Sequence, residues 1–231
     1  MRALPPTAIV CLLMWTTGTA GIRMRQDLGV FTNQTDVGLP STIGAGSATY
    51  DPATKVYTIS GGGENMWGTA DHFHYVWKKV SGDLRLAATL AFTGTKPSDS
   101  PPEGHRKACL VIRQTLDPDS VYADAALHGD GLTALQYRDA KGAITREVRA
   151  DMTAPKRLRL EKRGDEISMW VAAEGGELRP AGAPVKVEFA GEYYVGLGVC
   201  AHNTARLETA AFSDVLLETP QVKAVDLKDK R

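Results

Sequence analysis

Apolar and polar residues alternate in short runs along this chain, and a turn signal closes nearly every run. Lys55-Val56-Tyr57-Thr58-Ile59-Ser60 alternates and stops at Gly61-Gly62-Gly63. His72-Phe73-His74-Tyr75-Val76-Trp77 alternates and gives way to Ser81-Gly82-Asp83. Leu84, Leu86, Ala88, Leu90 and Phe92 then share one face. Successive side chains of a strand point to opposite sides, so a period of two marks half-buried strands. Residues 157–161 and 166–171 flank Gly164-Asp165, a hairpin signal. Residues 185–189, 193–199 and 210–217 read as further strands. No long helical period appears after the first twenty residues. Many short strands with frequent turns point to a sandwich or a barrel. The expectation is an all-β, two-sheet antiparallel jelly-roll sandwich.

The two ends of the chain read differently. Arg2 precedes the apolar stretch Ala8-Ile9-Val10-Cys11-Leu12-Leu13-Met14-Trp15, and small residues lead to Gly18-Thr19-Ala20. That order predicts a secretory signal peptide over 1–20. The apolar run falls short of the roughly 20 residues a membrane span needs, and no later segment supplies one. The expected location is the periplasm or the exterior of a bacterial cell. Residues 21–35 form a lead-in, 36–218 the sandwich and 219–231 a charged tail. The segment 95–104 is polar and proline-rich, a surface insertion. Lys and Arg total 27, as do Asp and Glu, so the formal net charge is zero. This argues against nucleic acid or an anionic membrane as a partner. After signal removal two cysteines remain, Cys109 and Cys200, each inside an apparent strand. In an oxidising compartment they can form a disulfide. They can equally remain two separate buried thiols, and the sequence leaves both alternatives open.

Several ordered segments carry a resemblance. They are Trp67-Gly68-Thr69-Ala70, Asp71-His72-Phe73-His74-Tyr75-Val76-Trp77 and Ile112-Arg113-Gln114. Val195-Gly196-Leu197-Gly198-Val199-Cys200-Ala201-His202-Asn203 and Phe212-Ser213-Asp214-Val215 follow. Together they resemble a bacterial secreted domain of unknown function in the concanavalin A-like lectin/glucanase superfamily. The resemblance implies two antiparallel sheets packed face to face, one of them concave. Related lectins and glucanases use that concave face, or the loops at its rim, for sugars.

Glucanases of that superfamily carry their carboxylates as Glu-x-Asp-x-x-Glu on one strand, and this motif is absent here. Glycoside hydrolysis ordinarily needs two carboxyl groups across the scissile bond. The expectation is therefore a non-catalytic binding domain with no cofactor, taking an oligo- or polysaccharide. A glycan hydrolase with an atypical site is one alternative, and a structural module binding an envelope protein is another. Aromatic rings stack on apolar sugar faces while polar groups bond hydroxyls. Phe73, Tyr75 and Trp77 share one strand face and read as core; His72, His74 and Lys78 then form the open face. The expected ligand pocket is Trp67, His72, His74, Arg113 and His202. Gln114, Tyr122, Asp124 and Gln136 extend it on neighbouring strands. Two imidazoles on one face can begin a metal site, with His105, His128 and His202 as ligands only if the fold gathers them. Polar residues without metal are the preferred reading. Arg163-Gly164-Asp165 has a sufficient explanation as turn residues.

Overall fold

A computed structural model describes residues 26–39, 41–96 and 101–219. The signal segment 1–20, residues 21–25 of the lead-in, residue 40, residues 97–100 of the polar loop and residues 220–231 of the tail lie outside the described residues. The described residues form seventeen strands, numbered in chain order, and no helix.

Two antiparallel sheets make the jelly-roll sandwich. The seven-stranded sheet runs β1 (Asn33–Val37), β6 (Phe73–Ser81), β16 (Glu192–Cys200), β8 (Lys107–Arg113), β9 (Tyr122–His128), β10 (Thr133–Arg138) and β11 (Arg146–Arg149). The eight-stranded sheet runs β14 (Arg179–Pro180), β13 (Glu166–Ala172), β12 (Arg157–Arg163), β7 (Leu84–Lys96), β17 (Leu207–Glu218), β3 (Val56–Gly61) and β2 (Ser47–Asp51). Its eighth strand, β15 (Val185–Lys186), pairs with β13, and β4 (Met66–Trp67) pairs with β5 (Ala70–Asp71) in a separate small hairpin. The β12–β13 hairpin has the predicted two-residue loop, with Arg163 facing Glu166 and Gly164 at φ +54°. The strand expected over 185–189 is shorter, because only Val185 and Lys186 pair.

The main core lies between the sheets. The eight-stranded sheet contributes Leu84, Leu86, Ala88, Leu90, Leu158, Leu160 and Phe212; the seven-stranded sheet contributes Val76, Leu110, Ile112, Leu135 and Leu197. Leu28 and Phe31 pack in this core and β1 begins at Asn33, so the sandwich starts inside the expected lead-in. Removing apolar surface from water is what holds these layers together, at about 25 cal/mol per Å².

A second cluster lies on the outer face of the seven-stranded sheet. It contains Phe73, Tyr75, Cys109, Val111, Ala126 and Cys200, joined by Val37 and by Met66 of the small hairpin. The segment 62–72, which carries the β4–β5 hairpin, covers part of this face. Strands β8 and β9 are consequently buried at every position. Gly196 is needed for close backbone approach. A Cβ there would stand 1.9 Å from the Val76 carbonyl oxygen on the neighbouring strand. Gly196→Ala is expected to destabilise the protein by about 1–3 kcal/mol, the usual cost of overpacking a close-packed site. Equilibrium urea unfolding checks this, and an unchanged midpoint would contradict it.

Candidate functional site

The β4–β5 hairpin is a rigid mount for an exposed ring. Trp67 faces Ala70 across a turn in which Gly68 has φ +64°, a conformation that favours glycine. The Gly68 carbonyl accepts bonds from the Thr145 amide (2.8 Å), the Thr145 hydroxyl (3.1 Å) and Arg138 Nη2 (3.2 Å). At the base of the hairpin, the Asp71 amide donates to the Pro118 carbonyl and the His72 amide to the Asn65 carbonyl. Trp67 remains 39% exposed on this support.

A buried ion cluster fastens the hairpin to the sheet. Asp71 Oδ1 accepts from Arg138 Nη2 at 2.9 Å, and Oδ2 accepts from Arg138 Nη1 at 2.9 Å and Arg113 Nη1 at 3.3 Å. All three side chains are fully buried. Arg113 also donates to the Thr115 and Asp117 carbonyls, and Arg138 to the Ser120 and Ala143 carbonyls. Arg113 is therefore occupied by the protein itself, not free for the ligand role expected from the sequence.

His74 is likewise removed from the expected pocket. Its ring is buried, with Nδ1 2.8 Å from Asp36 Oδ1 and Nε2 3.0 Å from Gln34 Oε1. His72 lies just outside β6, and its Nδ1 accepts from the Leu39 amide at 3.0 Å. The two imidazoles do not share an open face. Phe73 and Tyr75 are buried as expected, but in the second cluster, on the side away from the main core.

Two adjoining clefts flank Trp67. One, of about 430 Å³, is lined by Glu64, Thr69, His72 and His202 among others. The other, of about 240 Å³, opens over the outer face of β8 to β11 and includes Lys107, His105, His128, Gln136, Glu147, Arg149 and again His202. Asn65 and Trp67 border both. Trp67, His72 and His202 are thus brought together; His74 and Arg113 are not.

The second cleft holds most of the polar chemistry. His105 lies 5.9 Å from the His128 ring and 5.5 Å from the His202 ring, centroid to centroid. His128 Nδ1 donates to the Leu132 carbonyl at 3.0 Å. Burial, helped by the Lys107 ammonium, pushes the His128 imidazole down to about 4, so it is neutral at physiological pH. Burial and the same ammonium also lower His202. His202 has φ +57° at the turn leaving β16, and its buried Nδ1 has no hydrogen-bond partner among the described residues. The Ala201 and Asn203 amides on either side bond the Gly62 and Gly63 carbonyls, which fixes this strained turn beside the hairpin segment. The fold thus gathers three histidines, yet no group of three or more His, Cys, Asp or Glu among the described residues is placed to hold a metal.

Asp124, Gln136 and Glu147 occupy one row across β9, β10 and β11. Asp124 is fully buried; its carboxyl oxygens make no close hydrogen bond among the described residues, the Cys109 thiol and the Gln136 amide being weak donors to it, and Gln136 Oε1 has no partner among those residues. Burial raises the Asp124 carboxyl well above its ordinary value; Lys107 opposes that shift without cancelling it. Cys109 and Cys200, on β8 and β16, are not joined: both thiols are free and buried. Cys109 faces Gly198, so the cysteines are diagonal instead of directly opposed, a poorer geometry for bridging.

Lys107, Glu147, Arg149 and Asn65 also border the clefts, although no motif singles them out. Lys107 carries a readable signal. It shares the strand face of Cys109 and Val111, an unusual place for a charge.

No protein-family model and no curated protein matches the chain. Solved structures share its fold. A functionally unknown protein from Saccharomyces cerevisiae superposes at TM-score 0.58, with 14% identity, over 81% of this chain and 96% of that one. A mutant of the GH43 protein BlXynB from Bacillus licheniformis gives 0.54 and 14% over 81% of this chain but only 36% of its own length. The Xyloglucan PUL GH43B protein of Bacteroides ovatus gives 0.50 and 13%, again over 81% and 36%. The likeness is one of fold, the two-sheet antiparallel sandwich described above.

Proposed function

We propose that this chain is an exported, non-catalytic binding domain that takes a carbohydrate in the clefts beside Trp67. The observation that carries the reading is the exposed Trp67 ring, held on a pinned hairpin beside a polar cleft. An indole face offers an apolar platform for a sugar ring, and the surrounding imidazole, amide and ammonium groups match its hydroxyls. The fold shared with parts of two GH43 proteins agrees with a sugar-related role, by analogy alone. Each of the two clefts has one carboxylate among its described lining residues, Glu64 in the 430 Å³ cleft and Glu147 in the 240 Å³ cleft, where Glu147 accepts from Arg149 Nε at 2.6 Å. Asp124 is fully buried. The preference for binding over hydrolysis rests on the sequence, which lacks the Glu-x-Asp-x-x-Glu strand motif that places the two carboxyl groups hydrolysis ordinarily requires. Export rests on the pattern of residues 1–20.

Isothermal titration across polysaccharides, oligosaccharides and cell-wall fragments tests the reading. Trp67→Ala should weaken sugar binding about tenfold or more, the scale of an aromatic anchor. Its unfolding free energy should move by no more than about 0.5 kcal/mol, as for other surface positions. Binding to none of these sugars, or equal binding by the variant, would overturn the proposal.

A further inference from the structure

Lys107 is a buried cation without a counter-ion among the described residues. Its side chain lines the 240 Å³ cleft, yet the residue is only 2% exposed. Its hydrogen bond among those residues goes to the neutral Asn65 Oδ1. It forms no ion pair with them, whereas the buried Arg113 and Arg138 share Asp71, and Arg106 has Glu208. An ammonium carries three donors, so two are left for other partners. Buried charges are ordinarily paired, because an unpaired one keeps the full cost of leaving water.

The surroundings do not supply the missing anion. Glu147 is held by Arg149 at the cleft, and Glu103 is engaged by Asn203 at 3.1 Å and Arg206 at 3.5 Å. Glu64 lines the adjoining cleft and makes no ion pair with Lys107 among the described residues. Asp124 makes no ion pair or hydrogen bond with Lys107 among the described residues, and burial raises its carboxyl although the Lys107 ammonium opposes that shift. The remaining polar neighbours include the imidazoles of His105, His128 and His202, which offer no negative charge.

Resting on the carbohydrate reading above, we propose that this cleft selects an acidic sugar, with the ligand's anionic group seated against the Lys107 ammonium and its ring against Trp67. The shared chemistry is an anionic substituent on a pyranose, either a uronate carboxylate or a sulfate ester. A charge-assisted bond in a site with little water is stronger than a neutral one, so the anion should dominate selection.

Titration with three probes of equal length tests this: a galacturonate oligomer, a sulfated galactose oligomer and a neutral galactose oligomer. The expected result is that at least one acidic probe binds about tenfold or more tighter than the neutral one. Lys107→Met should remove that preference, bringing the acidic probes to the affinity that the same variant shows for the neutral one. Lys107→Gln serves as a second variant, and urea unfolding shows whether each is folded. For the native protein alone, affinity for the preferred acidic probe should fall as salt is raised. Which acidic probe wins identifies the anionic group. Equal binding of neutral and acidic probes, or an acidic preference that survives in folded Lys107 variants, overturns the acidic-sugar proposal and leaves carbohydrate binding standing. Binding of no probe overturns this proposal; absence across the wider sugar panel removes the carbohydrate reading as well.

Discussion

Replacing Asp71 with alanine is expected to destabilise the protein by about 3–5 kcal/mol, the range found when one partner of a buried ion pair is removed. The loss would leave two fully buried guanidinium groups, Arg113 and Arg138, without their shared carboxylate. It would also loosen the hairpin, because Arg138 bridges Asp71 to the Gly68 carbonyl. The backbone bond from Thr145 to Gly68 would remain, so the first consequence should be local loosening around Trp67. Stabilities of small domains are about 5–15 kcal/mol, so this single change consumes a large part of the total. Equilibrium urea unfolding measures it. A shift below about 1 kcal/mol would mean that the cluster contributes no more than a surface ion pair. Hydrogen exchange should show the amides of residues 66–71 losing protection first; uniform loss across both sheets would argue against the hairpin as the dependent element.

The sandwich is legible in the sequence because strand periodicity and turn chemistry are local. The β12–β13 hairpin with Gly164-Asp165 at its turn, and the inward set Leu84, Leu86, Ala88 and Leu90, follow directly from that alternation. The site is legible only in part, because alternation names two faces but not what covers them. Phe73 and Tyr75 pack as apolar residues, yet in the outer cluster beside Met66 instead of the inter-sheet core. His74, expected on the open face, is sealed beside Asp36 and Gln34. A clue exists in Ala108-Cys109-Leu110-Val111-Ile112, apolar at both parities, which is how a strand covered on both faces reads. Given that clue, Arg113 at the end of the run is better understood as a member of a buried ion cluster than as a ligand group. Trp67 and His202 are recoverable because glycine and polar residues beside them mark loops. His105, His128 and Lys107 converge only through the sheet order β16-β8-β9, which no local pattern encodes.

Asp124 gives the second large effect, and it takes the form of a pH dependence. Its carboxyl is fully buried, and burial raises it well above its ordinary value of 3.8. Above that pH the unfolded chain gives up this proton while the folded protein keeps it. The folded state therefore binds more protons, and stability falls as pH rises, by up to about 1.4 kcal/mol per unit from this group. The fall begins near the unfolded value and ends only when pH passes the raised folded value. Asp124→Asn keeps the shape and removes the titration. Its stability relative to the unaltered protein should thus grow as pH rises above 4, with a slope of up to about 1.4 kcal/mol per unit, since other titrating groups cancel in the difference. Urea unfolding of both proteins from pH 4 upward measures the slope. A flat difference would mean that Asp124 is ionised in the folded protein, with Lys107 as its compensating charge. The acidic-sugar selection would then lose its premise, because the ammonium in the cleft would already have its anion. A rising difference leaves Lys107 uncompensated, and binding an acidic ligand at that cleft should itself stabilise the fold increasingly with ligand concentration.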